Sequence, residues 1–339
     1  MSCSIAIVGA TGLVGTTLLQ LLEERSFPIK KIYLLASEKS SGKYLSFRNE
    51  SILLQDLDTF DFTQTQLAFF CVSNALAEKY APIAGAAGSV VIDKSYFYRN
   101  DPEVPLIIPE VNLQDLPPFR KKNIIASPNC NTIPVAVGLK PIYDAVGISR
   151  INISTYQSVS GTGKDAINEL MAQTQQILNH QPIYPKVYAQ QIAFNVLPHI
   201  DDFLENGYTR EEMKIVWEMQ KIFNDNNLAI NPTAVRVPVV CGHAASVHIE
   251  TKDKMTATQA KRLLSQSPGI KMMPETHDYP TPAVDAAGKD SVYIGRIRED
   301  ISHEKGLNLW IVADNLRKGA ALNALQIAEY LLQEKLVTA

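Results

Sequence analysis

The chain has 339 residues, 46% of them hydrophobic and 20% charged, with a formal net charge of -3. That composition is globular and, at roughly 100–200 residues per domain, suggests about two domains. A near-neutral balance with Lys and Arg spread along the chain excludes nucleic acid or an acidic membrane surface as the main partner. Cys3, Cys71, Cys130 and Cys241 stand far apart, with no C-x-x-C pair and no zinc spacing, so neither a disulfide framework nor a metal is expected and the setting is read as the reducing cytoplasm. No apolar run reaches the ~18 residues of a membrane span, and Gly9, Gly12 and Gly15 interrupt what would be the apolar core of a signal peptide.

Residues 4–8 are a β-branched run, followed at once by GATGLVG at 9–15 and by leucines at helical spacing up to residue 24. Strand, glycine turn and helix in that order form the context of a dinucleotide site. The glycines let the backbone approach a pyrophosphate, and the helix N-terminus offers N–H donors and positive potential. A second strand, 31–36, ends where an NAD enzyme places an acid for the ribose hydroxyls. Here Ser37, Glu38, Lys39 and Ser40 stand instead. Hydroxyls and a lysine suit a 2′-phosphate, so NADP is preferred over NAD, against the dissenting charge of Glu38 and the plain alternative of a polar surface turn. Strands at 67–72 and 89–93, separated by an alanine-rich helix at 75–87, continue the alternation that builds a parallel, doubly wound sheet. Cys71 reads as core, and Arg99, in the irregular stretch 96–109, as an isolated cation near the rim.

Residues 123–126 read as a buried strand and 132–139 as the opening of a helix, with Pro134 tolerable in its first turn. Cys130 lies between them, where free N–H groups and the helix dipole favour the reactive thiolate; the competing reading is a small buried hydrophobe. Residues 151–160 alternate as a strand and run into GTGK at 161–164, followed by a helix at 165–178 and a proline-bearing loop at 181–198. Thr209 is expected to cap a helix, with Glu212 as its capping-box partner. Glu211 and Lys214 share one face of that helix, which by itself is also what a surface pair would do. Arg236 sits amid valines, where it either snorkels to water or meets an anion. His243 follows Gly242 at a bend between strands and, as a lone histidine, is more often structural than catalytic, and His248 reads as structural. Strands at 292–298 and 307–313 lead through DNLRKG into a last helix, 320–336, expected to pack back on the first domain.

Six stretches stand in one order: GATGLVG at 9–15, LASEKSSG at 35–42, SPNCNT at 127–132, YQSVSG at 156–161, RVPVVCGH at 236–243 and DNLRKG at 314–319. Together they closely resemble the aspartate-β-semialdehyde dehydrogenase family. The resemblance implies an α/β chain with an N-terminal Rossmann-type doubly wound parallel sheet (residues 1–127, joined by the C-terminal helix 317–339). A second, α+β catalytic and dimerisation domain (128–316) would follow, as in glyceraldehyde-3-phosphate dehydrogenase. It implies that Cys130 attacks the acyl phosphate of aspartyl phosphate, leaving a thioester that NADPH reduces to the semialdehyde, in the biosynthesis of lysine, methionine, threonine and diaminopimelate. His243 matches the acid/base and Gln157 the residue that orients it or the substrate. Arg236 matches the grip on the α-carboxylate, Glu211 the partner of the α-ammonium, and Lys214, Arg99 and Asn129 the phosphate pocket. Gly9, Thr11, Gly12, Leu13, Val14, Gly15, Ser37, Lys39, Ser40, Ser160, Gly161 and Asn315 match the cofactor contacts. Arginine is common in the family where Lys39 stands, and serine or threonine at Asn131, a difference taken as neutral. The implied assembly is at least a homodimer, with pairing into tetramers open. The rivals are N-acetyl-glutamyl-phosphate reductase, which shares nucleophile and architecture, and a non-catalytic nucleotide-binding relative.

Overall fold

A computed structural model describes residues 2–337, and the chain falls into two units, residues up to 129 together with those from 320 on, and residues 130–319. In the first unit β1 (Cys3–Val8) is buried along its whole length, as the centre of a parallel sheet requires. After it come α1 (Leu13–Glu24), β2 (Ile29–Ala36), β3 (Tyr44–Phe47), β4 (Glu50–Asp56), β5 (Leu67–Phe70), α2 (Asn74–Ala86), β6 (Val90–Asp93), α3 (Pro109–Asn112) and β7 (Ile124–Ala126). The strand order is β3-β4-β2-β1-β5-β6-β7, all pairs parallel except β3 with β4. Consecutive strands β1 and β2 lie side by side while β5 joins the other edge of β1. The crevice at the carboxyl end of β1 is thus a topological switch point, where such sheets bind ligands. The β3–β4 hairpin was not anticipated. Its turn is Arg48-Asn49, both left-handed (φ 49 and 63), without the glycine that usually announces a two-residue hairpin turn. Cys71 lies just beyond β5 and is half-buried, packed against the core rather than within a strand.

The second unit contains α4 (Thr132–Val146), β8 (Ile148–Gln157), α5 (Lys164–Leu178), α6 (Arg210–Phe223), β9 (Ala229–Arg236), β10 (His243–Thr251), α7 (Ala257–Ser265), β11 (Ile270–Met272), β12 (Val292–Glu299) and β13 (Gly306–Ala313). Its sheet is mixed, in the order β11-β12-β13-β10-β8-β9. Helix α4 lies close on this sheet: a Cβ at Gly138 would come within 2.9 Å of the Ile311 side chain. The pairing directions decide where the chemistry falls. β8 and β9 are parallel, with Gln157 opposite Arg236, and β10 runs antiparallel to β8, with Ala244 opposite Tyr156. The last residues of β8 and β9 and the first of β10 therefore share one end of the sheet. Those residues are Gln157, Arg236 and His243.

The last helix, α8 (Leu322–Gln333), starts two residues later than expected because residues 317–321 form a wider π-type turn. It belongs to the first unit, where its apolar residues share a core with Leu18, Leu21 and Leu22, and Arg25 forks onto Glu329 at 2.7 and 2.8 Å. Among the described residues no helix is long and apolar enough to cross a membrane.

Candidate active site

The glycine turn after β1 is enforced by sterics. Gly9 has φ +82, and a Cβ there would lie 2.4 Å from the Cys71 carbonyl oxygen; one at Gly15 would lie 2.3 Å from that of Gly9. Gly12 caps α1 without any side-chain hydrogen bond, and the first intrahelical bond is Thr16 N–H to Gly12 O. The N–H groups of Leu13, Val14 and Gly15 are thus left for an outside acceptor, and Thr11 is exposed beside them. An uncapped helix start at the switch point fits an anionic pyrophosphate. Ser37 and Ser40 close a turn after β2 (Ser40 N–H to Ser37 O, 2.8 Å), with Lys39 exposed at its tip.

Two phosphate-pocket candidates also belong to this unit. Asn129 is buried, and Arg99 is not the isolated rim cation that its irregular surroundings suggested: only 6% exposed, it donates to the Lys94 carbonyl at 2.8 Å. Nearby, Lys94 donates to Ser127 Oγ and the Pro128 carbonyl. Burial raises the Asp93 carboxyl above its usual range, against Ser95, Arg99 and Lys94, which pull it down.

The other candidates belong to the second unit. Cys130 is half-buried and immediately precedes Asn131, the N-cap of α4, so it is not a fully buried core thiol. Asn131, which resemblance had left neutral, is a bridge: its Nδ2 lies 3.8 Å from the Cys130 sulfur and 3.2 Å from Glu211 Oε1. Glu211 also accepts from Gln157 Nε2 at 3.2 Å and Lys214 Nζ at 3.1 Å, and Lys214 donates in turn to Asp201 at 2.6 Å. Glu211 is 7% exposed, so the pair is not a surface decoration. Burial would lower the Lys214 ammonium pKa, but Glu211 and Asp201 outweigh it and hold the pKa above its usual value. The capping box sets this face of α6: Thr209 Oγ1 accepts from Glu212 N–H, and Glu212 accepts from the N–H of Thr209 and, across to β9, of Ala234.

Arg236 neither snorkels nor waits for an anion alone. It is buried and its Nη1 donates to the Ser158 carbonyl at 2.7 Å, while Nε has no partner among the described residues. His243 is 2% exposed; its Nδ1 accepts the Ser158 N–H at 3.0 Å, and its Nε2 likewise has no partner. Burial, reinforced by Arg236 and opposed by Glu211 and the Gly242 carbonyl, lowers its pKa to about 3. Gly161 keeps the space in front of both groups open, since a Cβ there would stand 3.1 Å from Arg236 Nη1 and 3.3 Å from His243 Nε2. Asn315 Oδ1 accepts from Ser158 Oγ, Ser160 Oγ and Gly242 N–H at 3.1, 3.2 and 2.8 Å. Asn315 follows Asp314, whose carboxylate holds the turn by accepting from the N–H groups of Leu316 and Arg317. Two buried nitrogens without partners among the described residues, Arg236 Nε and His243 Nε2, and a buried carboxylate make this end of the sheet complementary to a small molecule carrying both charges.

Two family models match the chain: "Semialdehyde dehydrogenase, NAD binding domain" over residues 4–117 and "Semialdehyde dehydrogenase, dimerisation domain" over residues 139–318. The chain is 54% identical over 331 residues to the aspartate-semialdehyde dehydrogenase of Shewanella sp. (strain DB6705), covering 98% of each. It is 55% identical over 336 residues to that of Legionella pneumophila, covering 98% of this chain and 97% of that one. Among solved structures, aspartate semialdehyde dehydrogenase II from Vibrio cholerae, complexed with ASA, is 52% identical with a TM-score of 0.97, covering 98% of this chain and 99% of that chain.

Proposed function

The chain belongs to the aspartate-semialdehyde dehydrogenase family, and on that premise we propose that it converts L-aspartyl-4-phosphate to L-aspartate 4-semialdehyde through a thioester on Cys130. It is an oxidoreductase with an NAD(P)-binding domain. NADPH is the cofactor we assign, held at Gly9, Thr11, Gly12, Leu13, Val14, Gly15, Ser37, Lys39 and Ser40 in the first unit and at Ser160, Gly161 and Asn315 in the second. When bound it supplies the hydride. Arg236 takes the substrate α-carboxylate with a planar fork of donors, and Glu211 takes the α-ammonium. Lys214, kept cationic by its two carboxylates, serves the phosphate with Arg99 and Asn129. Gln157, bonded to Glu211, orients the substrate; His243 is the acid/base group. The nucleophilic chemistry needs a sulfur, because an acyl thioester accepts hydride where a carboxylate does not.

The observation that carries this reading is the buried Glu211 carboxylate at the same end of the sheet as Arg236. N-acetyl-glutamyl-phosphate reductase binds an acylated, uncharged nitrogen, for which a buried carboxylate is a poor partner. Initial rates with phosphate and either aspartate semialdehyde or N-acetyl-glutamate semialdehyde, each with NADP and with NAD, test substrate and cofactor together. Activity confined to aspartate semialdehyde and higher with NADP is expected; preference for the acetylated substrate refutes the assignment. We also assign a homodimer formed through the second unit, supported by the dimerisation-domain match, and a cytoplasmic setting, supported by four free thiols. Light scattering of the purified chain tests the first.

A further inference from the structure

We propose that Asn131 is a positioning residue whose side-chain amide holds the Cys130 thiolate with one N–H and the Glu211 carboxylate with the other, tying the nucleophile to the group that receives the substrate ammonium. This rests on the roles given above to Cys130 and Glu211. Asn131 stands at the N-cap of α4, where asparagine, aspartate and serine are preferred because a side-chain oxygen there accepts from the first turn, yet it makes no such capping bond. Only 3% exposed, it turns inward instead, with Nδ2 3.2 Å from Glu211 Oε1 and 3.8 Å from the Cys130 sulfur.

The partners settle which end of the amide faces them. An ionised carboxylate only accepts, and so does a thiolate, so the atom between them is the nitrogen, which carries two N–H groups. One Nδ2 can therefore serve both acceptors at once. Serine offers a single O–H on a shorter side chain, and an ionised aspartate offers no donor. The serine or threonine common at this position in the family is thus not equivalent to Asn131. Gly319 lets Cys130 keep its place beside the amide: a Cβ there would stand 3.1 Å from both the Cβ and the carbonyl oxygen of Cys130.

The bridge reconciles two opposing demands. The N-terminus of α4, one residue beyond Cys130, favours the thiolate with which acylation begins. Glu211, across the same amide, is a second negative charge and disfavours it. That carboxylate must nevertheless stay ionised to receive an ammonium, and it is shared further. Gln157 donates to Oε1 at 3.2 Å, and Lys214, itself held by Asp201 at 2.6 Å, donates to Oε2 at 3.1 Å. A neutral amide giving one charge-assisted bond to each anion lets both charges stand in one site.

Alkylation of the sulfur itself tests this. Iodoacetamide modification of Cys130 in the cofactor-free full chain, quantified by peptide mass spectrometry across a pH series, gives the thiol pKa. Burial pushes the thiols of Cys3, Cys71 and Cys241 up to about 11, 12 and 12, so label at neutral pH falls on Cys130. Asn131→Leu keeps the shape but removes both donors, and should raise the Cys130 pKa by about 0.5–1 pH unit, the size of one lost hydrogen bond. Asn131→Asp, as good a helix cap as asparagine, should raise it at least as much, and decides the matter if the leucine variant does not fold. A residue acting only as a cap would let the aspartate variant match the native chain, and that result overturns the proposal. Glu211→Gln tests the other arm. Removing this charge should lower the Cys130 pKa, and lower it by at least ~0.5 pH unit more in the Asn131→Leu or Asn131→Ser background, where the amide no longer stands between the two anions. Equal drops with and without Asn131 overturn the bridge. Failure of the thioester reading shows differently: Cys130→Ser would then retain phosphate-dependent reduction of NADP with aspartate semialdehyde, whatever the alkylation profiles.

Discussion

The depressed pKa of His243 makes acid a selective perturbation of the second unit. An unfolded histidine titrates at its ordinary value of 6.5, whereas folded His243 does so only at about 3. Between those values the unfolded chain binds a proton that the folded chain does not. Stability linked to this residue is therefore fully present above pH 6.5 and is lost as pH falls toward 3. At 1.36 kcal/mol per pH unit, the 3.5-unit window (6.5 − 3) amounts to about 5 kcal/mol in all, of which about 3 kcal/mol is already gone at about pH 4.5. Both tryptophans, Trp217 in α6 and Trp310 in β13, belong to this unit, so intrinsic fluorescence reports its unfolding. The assay is urea unfolding of the native chain and of His243→Asn at about pH 7.5 and about pH 4.5, at one protein concentration, because apparent stability depends on concentration in any chain that self-associates. Carboxylates such as Asp300, lowered to about 2 by the N–H and hydroxyl of Ser302 and by His248, titrate alike in both proteins and cancel in the difference. The native chain should lose about 3 kcal/mol more than the variant on acidification. Parallel losses, within ~0.5 kcal/mol, would show that His243 is not held neutral.

Gly161→Ala should lower kcat/KM at least tenfold with little change in the urea midpoint, because the new Cβ crowds Arg236 Nη1 at 3.1 Å and His243 Nε2 at 3.3 Å. Wild-type kinetics in this variant would mean that the opening is not used. Arg236→Lys removes the fork while keeping charge, and at about 1.5–3 kcal/mol for a charge-assisted hydrogen bond steady-state kinetics should show kcat/KM down by roughly 10- to 150-fold. Glu212→Ala leaves the N–H groups of Thr209 and Ala234 without their acceptor; a loss of about 1–3 kcal/mol is expected in urea unfolding, with the rate per folded enzyme reduced because α6 also carries Glu211 and Lys214.

What could be read from the residues was whatever is local. GATGLVG announces a glycine turn because its sterics are settled within the loop and the strand beside it, and Thr209 with Glu212 announces a helix start because both partners lie within one turn. The β3–β4 hairpin escaped notice because Arg48 and Asn49 reach left-handed backbone without glycine, with Arg48 held by the carbonyls of Phe27 and Leu22. The meeting of Gln157, Arg236 and His243 depends on one parallel and one antiparallel pairing, and strand direction leaves no mark on any one of those residues. Family resemblance could name the three, but not say that Arg236 would already hold the Ser158 carbonyl or that Asn131 would join Cys130 to Glu211. Ser158 is the limiting case. Its contributions to the site include a main-chain N–H to His243 and a main-chain carbonyl to Arg236, groups that every residue except proline offers in full. A position acting through its peptide groups is invisible to any reading by side-chain type. Substitutions there should therefore be tolerated by these two contacts wherever the backbone path from β8 into Gly161 is preserved, and the Oγ bond to Asn315 is the part that Ser158→Ala removes.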